Sequence, residues 1–146
     1  VILDNRITAM TGHQPNPTTG VTACGVSTPS VSIEAICRAS GATFVETVSP
    51  NDLTTFINVL KEAKARQGVK VVIARQPCVI SEKRAKINRG RYMVHKDLCI
   101  GCKACIKFGC PAIELNGGLA SITDLCSGCG VCVQICPVGA IGREVK

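Results

Sequence analysis

The sequence predicts an α/β protein in two parts. Residues 1–80 are expected to form a parallel-sheet unit and residues 95–146 a small α+β unit, with a basic connector at 81–94 between them. Two observations carry this. Before residue 80, strand-like apolar runs alternate with helix-like runs, which is the pattern of a parallel sheet covered by helices. After residue 95 the cysteines crowd together and repeat at fixed spacing.

Val1-Ile2-Leu3 reads as a short buried strand, followed by a polar loop rich in Gly, Pro and Thr from Asp4 to about Thr28. Ser30 to Ser40 reads as a helix with Ile33, Ile36 and Cys37 on one face and Gly41 as its stop. Thr43 to Val48 alternates like a strand. Ser49-Pro50 opens the next helix: Ser is the expected cap, Pro fits the first turn, and Asp52 lies near the positive end. Leu53, Phe56, Ile57 and Leu60 make its apolar stripe, and Gly68 stops it. Val69 to Ala74 is the third strand. Ligands of such sheets bind in the loops that follow the carboxyl ends of strands. The long loop after Leu3 is therefore the expected site.

The cysteines carry the strongest signal. Cys99, Cys102, Cys105 and Cys110-Pro111 form one run; Cys126, Cys129, Cys132 and Cys136-Pro137 form a second. Cubane iron–sulfur clusters need four soft sulfur ligands each, so these eight thiolates suit two [4Fe–4S] clusters. Zinc also takes Cys pairs, but triple runs closed by Cys-Pro are not its habit. Disulfides would imply a small secreted scaffold. In two-cluster ferredoxins the fourth cysteine of each run ligates the other cluster. On that rule Cys99, Cys102, Cys105 and Cys136 hold one cluster, and Cys126, Cys129, Cys132 and Cys110 the second. The runs are an internal repeat: Asp97-Leu98-Cys99 matches Asp124-Leu125-Cys126, and Gly101-Cys102 matches Gly128-Cys129. Residues from about 95 onward resemble a bacterial-type two-cluster ferredoxin domain, with one extra residue before Cys110.

The loop from Asp4 to Pro15 resembles the second half of the thiamine diphosphate motif in 2-oxoacid:ferredoxin oxidoreductases. By that resemblance Asn5 and the Ile7 carbonyl ligate Mg²⁺, and the family's Thr-Gly-x-Gln follows at Thr11, Gly12 and Gln14, where Thr11 and backbone amides such as that of Gly12 can meet phosphate oxygens. Hard oxygen ligands suit Mg²⁺. The whole order, including Arg75-Gln76-Pro77-Cys78, resembles the C-terminal part of the large (alpha) subunit of indolepyruvate ferredoxin oxidoreductases. The resemblance implies oxidative decarboxylation of an arylpyruvate with coenzyme A, the electrons leaving singly through the clusters to external ferredoxin. It also implies as partners the remainder of the alpha subunit and a beta subunit. The family's motif begins with an upstream Gly-Asp-Gly whose Asp is the third protein ligand of Mg²⁺, and this sequence has no Gly-Asp-Gly. Together with a first residue that is not Met, this leads us to expect part of a longer subunit. The rival reading is a stand-alone two-cluster electron carrier with an appended α/β domain.

The formal charge is +7, but two four-thiolate clusters at about −2 apiece bring it nearer +3. Aromatic residues make up only 3% of the chain, so the stacking platforms of single-strand binders are missing and no nucleic-acid partner is expected. No run of 18 apolar residues or signal-peptide pattern is found, so no membrane span is expected. Free thiols and Fe–S chemistry suggest a reducing cytoplasm. His13 could contact cofactor or substrate, or be solvated. Cys37 reads as a buried small hydrophobe, and Cys24 and Cys78 are isolated. Residues 81–91 carry five positive charges and one negative. They read as a solvated connector or as a docking strip for an acidic ferredoxin or coenzyme A phosphates, extended by Lys96, Lys103 and Lys107.

Overall fold

Strand β1 (Ile2–Asp4) pairs in parallel with β3 (Lys70–Arg75), and β3 pairs in parallel with β2 (Phe44–Val48), giving the order β1-β3-β2. Ile2 faces Ile73 and Asp4 faces Arg75 across one ladder; Phe44 faces Lys70 across the other. The central strand is the most apolar, with Val72, Ile73 and Ala74 all buried. Edge strand β1 departs from the sequence expectation. Leu3 is exposed and Asp4 is its buried residue, because alternate side chains of a strand point to opposite faces and Leu3 lies on the uncovered one.

These strands belong to a unit spanning Val1–Ile87, and a second unit begins at Asn88; the computed structural model describes residues 1–144. Helix α1 (Ile33–Ala39) follows the long loop, capped by Ser32, whose side chain accepts from the Ala35 amide at 3.1 Å. Helix α2 (Leu53–Ala65) packs Phe56, Val59, Leu60 and Ala63 against Phe44, Val48 and Val72. Its cap is Asp52, not Ser49: Asp52 accepts from the Thr55 amide at 3.1 Å, while the Ser49 hydroxyl donates to Gln76 at 3.0 Å. Ile57, expected on the packed stripe, is exposed, and Val59 takes its place. A short helix α3 (Val79–Arg84) closes the unit.

The second unit holds two antiparallel ribbons. Strand β4 (Tyr92–Val94) pairs with β7 (Ile141–Arg143), and β5 (Ile113–Asn116) pairs with β6 (Leu119–Ile122). Gly117 and Gly118 make the β5–β6 turn, both at positive φ as a tight hairpin requires. Single-turn helices α4 (Ala104–Lys107) and α5 (Val131–Ile135) carry the third cysteine of each run. The stretch read from sequence as a connector, 81–94, thus contains the last four residues of α3 and all of β4. Among the described residues no helix is long and apolar enough to cross a membrane.

Candidate functional site

Ligand loops of the second unit are shaped by backbone turns. In each run the residue before the second cysteine is a glycine at positive φ, Gly101 at 65° and Gly128 at 72°. A Cβ on Gly101 would meet the Gly118 carbonyl at 2.9 Å, and one on Gly128 the Gly90 carbonyl at 2.5 Å. Only glycine lets both loops lie this close to neighbouring backbone. Each loop then turns into its short helix, which points the third cysteine, Cys105 or Cys132, into the interior.

The result is two cavities. The first is lined by Cys99, Cys102, Cys105 and Cys136. The second is lined by Cys126, Cys129, Cys132 and Cys110. Each therefore gathers three cysteines of one run and the last cysteine of the other. The thiols' mutual electrostatics group in the same way. Burial first, then the charges of Cys102 and Cys136, push the Cys105 thiol up. Burial first, then Cys129, Cys126 and Cys110, push Cys132 up to about 11. Backbone amides of Ala120 and Gly101 act oppositely on Cys99 and lower it. The Ala140 amide donates to the Cys136 sulfur at 3.2 Å.

All eleven cysteines are free thiols. The ligand sulfurs line open spaces rather than converge on a point: among the described residues no three His, Cys, Asp or Glu side chains gather closely enough for one ion. Four soft donors around a space of this kind fit a cubane, which also relieves their repulsion by taking all four as thiolates. Cys105 and Cys132 are themselves core residues, packed with Ala120 and Ile141.

The long loop of the first unit begins at the carboxyl end of β1, and three strand ends are laced together there. The Gln76 amide donates to the Asp4 carbonyl and the Cys78 amide to the Asn5 carbonyl, each at 3.0 Å. Asp4, buried, receives the Arg75 guanidinium at 2.6 Å and the Arg6 amide at 2.9 Å. Arg75 also reaches Glu34 on α1 at 2.7 Å, and Thr47 donates to the same carboxylate at 2.9 Å. Arg75 first, then the helix backbone and Thr47, hold Glu34 down at about 2. This network was missed in the sequence reading. An acid ending an apolar strand is the one signal that pointed to it.

Of the residues expected at Mg²⁺, Asn5 and Ile7 come together: Asn5 Oδ1 accepts from the Ile7 amide at 3.2 Å. Thr8 and Gln14 bridge antiparallel, closing the segment between them into a tip, where the Thr11 hydroxyl donates to Gln14 Oε1 at 3.0 Å. Thr11 and Gly12 are thus on one exposed turn, a few residues from Asn5. The donor set, an amide oxygen and a backbone carbonyl on consecutive turns, is the hard-oxygen chemistry Mg²⁺ takes. His13 stands 3.8 Å from the Cys78 sulfur. Cys24 is exposed and Cys37 half-buried.

Comparison with known proteins now bears on these two units. The thiamine pyrophosphate enzyme family, C-terminal TPP binding domain, matches residues 1–74. The chain belongs to this family. Two 4Fe–4S binding domains match further on, at residues 96–113 and 121–142. An Archaeoglobus fulgidus protein named indolepyruvate oxidoreductase subunit IorA is 46% identical over 97% of this chain and 23% of its own length. A Methanothermobacter marburgensis protein of the same name is 45% identical over 100% of this chain and 24% of its own length. One from Pyrococcus horikoshii is 41% identical over 96% of the chain. The chain thus spans about a quarter of the length of these curated relatives. No solved structure matches. The likeness read from the sequence holds: a thiamine diphosphate-binding domain is followed by two [4Fe–4S] segments, and the relatives carry the indolepyruvate oxidoreductase name.

Proposed function

We propose that this chain is the electron-transfer end of a thiamine diphosphate-dependent 2-oxoacid:ferredoxin oxidoreductase acting on indolepyruvate or a related arylpyruvate. The observation that carries the reading is the pair of four-cysteine cavities, directly following a thiamine diphosphate-binding domain. Bound thiamine diphosphate supplies the carbanion that attacks a 2-oxo carbon, and the clusters supply one-electron sites for the pair released on oxidation. The chain's own residues hold these groups. Cys99, Cys102, Cys105 and Cys136 would seat one cluster; Cys126, Cys129, Cys132 and Cys110 the other. Asn5 and the Ile7 carbonyl would face Mg²⁺, with Thr11 and Gly12 at the diphosphate.

An upstream part of the same subunit would complete the magnesium site, and a second subunit, coenzyme A and an external ferredoxin would join the reaction. Exposed Lys96, Lys103 and Lys107 are suited to an acidic carrier. The reducing cytoplasm is the compartment such clusters require. Iron and thiamine analysis of the native complex tests the reading. About eight iron atoms per subunit with bound thiamine is the expected result, from two four-iron clusters. Iron without thiamine would instead make it a carrier with no catalysis.

A further inference from the structure

The two cysteine runs are near copies, yet they differ in charge around the ligands. Lys96, Lys103 and Lys107 in the first run stand where the second has Thr123, Gly130 and Gln134. All three lysines are exposed, and among the described residues none joins an ion pair.

Lys103 is the most telling of the three. Its backbone is left-handed (φ 62°, ψ 12°), as is that of Gly130 (φ 77°, ψ 1°). A residue with a Cβ is disfavoured in that conformation. At Gly130 a Cβ would also meet the Tyr92 hydroxyl at 2.8 Å, so glycine is required there. In the first run the chain accepts the strain and places a lysine at the wall of the cavity. The lining of the second cavity contains no Lys, Arg, Asp or Glu. Arg91 feels Cys126, and its charge is already matched by Asp124 at 2.7 Å and Glu144 at 3.9 Å; Arg89 lies against Gly128 but lines neither cavity. Depth adds to the contrast. Cys102 is exposed, whereas every cysteine at the second cavity is at least half-buried.

Reduction adds one electron to a four-thiolate cubane and takes it from about −2 to about −3, with no bond made or broken and no proton needed. Nearby ammonium groups stabilise the added charge, and burial opposes it. Both effects point the same way. We propose that Lys96 and Lys103 split two otherwise equivalent sites, making the cluster seated by Cys99, Cys102, Cys105 and Cys136 the easier of the pair to reduce; Lys107, between Cys105 and Cys110, stands between the two sites. The inference rests on the ferredoxin-type reading above. Its consequence is that the electron rests preferentially on the side where the lysines face solvent.

The test is a dithionite titration of the full-length subunit in its native complex, followed anaerobically by electron paramagnetic resonance. Wild type is compared with Lys103→Gly and with the double variant K96T/K103G. Lys103→Gly installs the repeat's own residue in a conformation glycine prefers, so the loop is kept. Wild type should show two separated midpoints. The double variant should lower the higher one by at least tenfold in the reduced-to-oxidised ratio, about 59 mV for one electron. Lys103→Gly should give part of that shift, and rising salt should shrink it. Full iron content with unmoved midpoints in the double variant overturns the proposal and leaves the ferredoxin reading standing. A wild type lacking cluster iron overturns both.

Discussion

Arg75 Nε donates to Asp4 Oδ2 at 2.6 Å, tying the ends of β3 and β1 together at the edge of the sheet from which the long loop departs. The side chain of Asp4 is only 4% exposed and that of Arg75 27%. Removing the guanidinium leaves a carboxylate in the interior with its strongest partner gone. Arg75→Ala should destabilise the first unit by about 2–4 kcal/mol. It should also weaken thiamine diphosphate retention, because Asp4 sets the start of the loop that holds Asn5. Thermal melts and thiamine content measure the two effects, and a variant with unchanged melting would refute the role.

Glu34 gives the same network a pH signature. Its folded value is about 2 against an ordinary 4.5. A depressed carboxyl stabilises the fold above its unfolded value, and the contribution is lost as pH falls from about 4.5 toward 2. After allowance for a side chain 29% exposed, the amount is on the order of 1–2 kcal/mol. Urea melts of wild type should therefore weaken between pH 6 and pH 3 by more than those of Glu34→Gln. Equal losses in both would remove Glu34 as the cause.

The proposed crossing of the fourth ligands makes the cysteines separable. Cys136→Ser should disturb the cluster of the first run, and Cys110→Ser that of the second, although each serine sits in the opposite run. Cys102→Ala should cut iron by about half, since each cluster holds four irons, and should slow ferredoxin reduction while sparing decarboxylation. Spectra that assign Cys136 to the second-run cluster would contradict the crossing.

Two glycines should respond very differently to one added methyl. Gly128→Ala forces a Cβ to within 2.5 Å of the Gly90 carbonyl at a φ of 72° and should cost roughly 3 kcal/mol. Gly109→Ala meets nothing within 4 Å at a φ of 80° and should cost only about 1–2 kcal/mol of backbone strain. Iron retention after reconstitution, compared across the two variants, reads the difference.

What could be read from the chain depended on the range of the interaction. The first three cysteines of each run lie within one short loop, so spacing alone singles them out as candidates, and they line the same cavity. The β-α-β order was also legible, because α2 and β3 are built from local periodicity. The start of α2 was not. Ser49 and Pro50 look like a cap and first turn, but the Ser49 hydroxyl is engaged by Gln76 on a distant strand end, and Asp52 caps instead. Ile57 fits the stripe by count, yet Val59 is the residue packed against Phe44 and Val72 and Ile57 is exposed. The Asp4–Arg75–Glu34 network joins residues far apart in sequence, and only the acid that ends an apolar strand hints at it locally.

Cavity one cannot be finished by the run that supplies most of it. During synthesis Cys99, Cys102 and Cys105 leave the ribosome first, but their fourth partner, Cys136, emerges only after every other ligand. On the proposed ligand sets, iron–sulfur delivery to the first site waits for Cys136, and a translation product cut between Cys132 and Cys136 would carry seven of the eight thiols yet leave its earliest site open to oxygen.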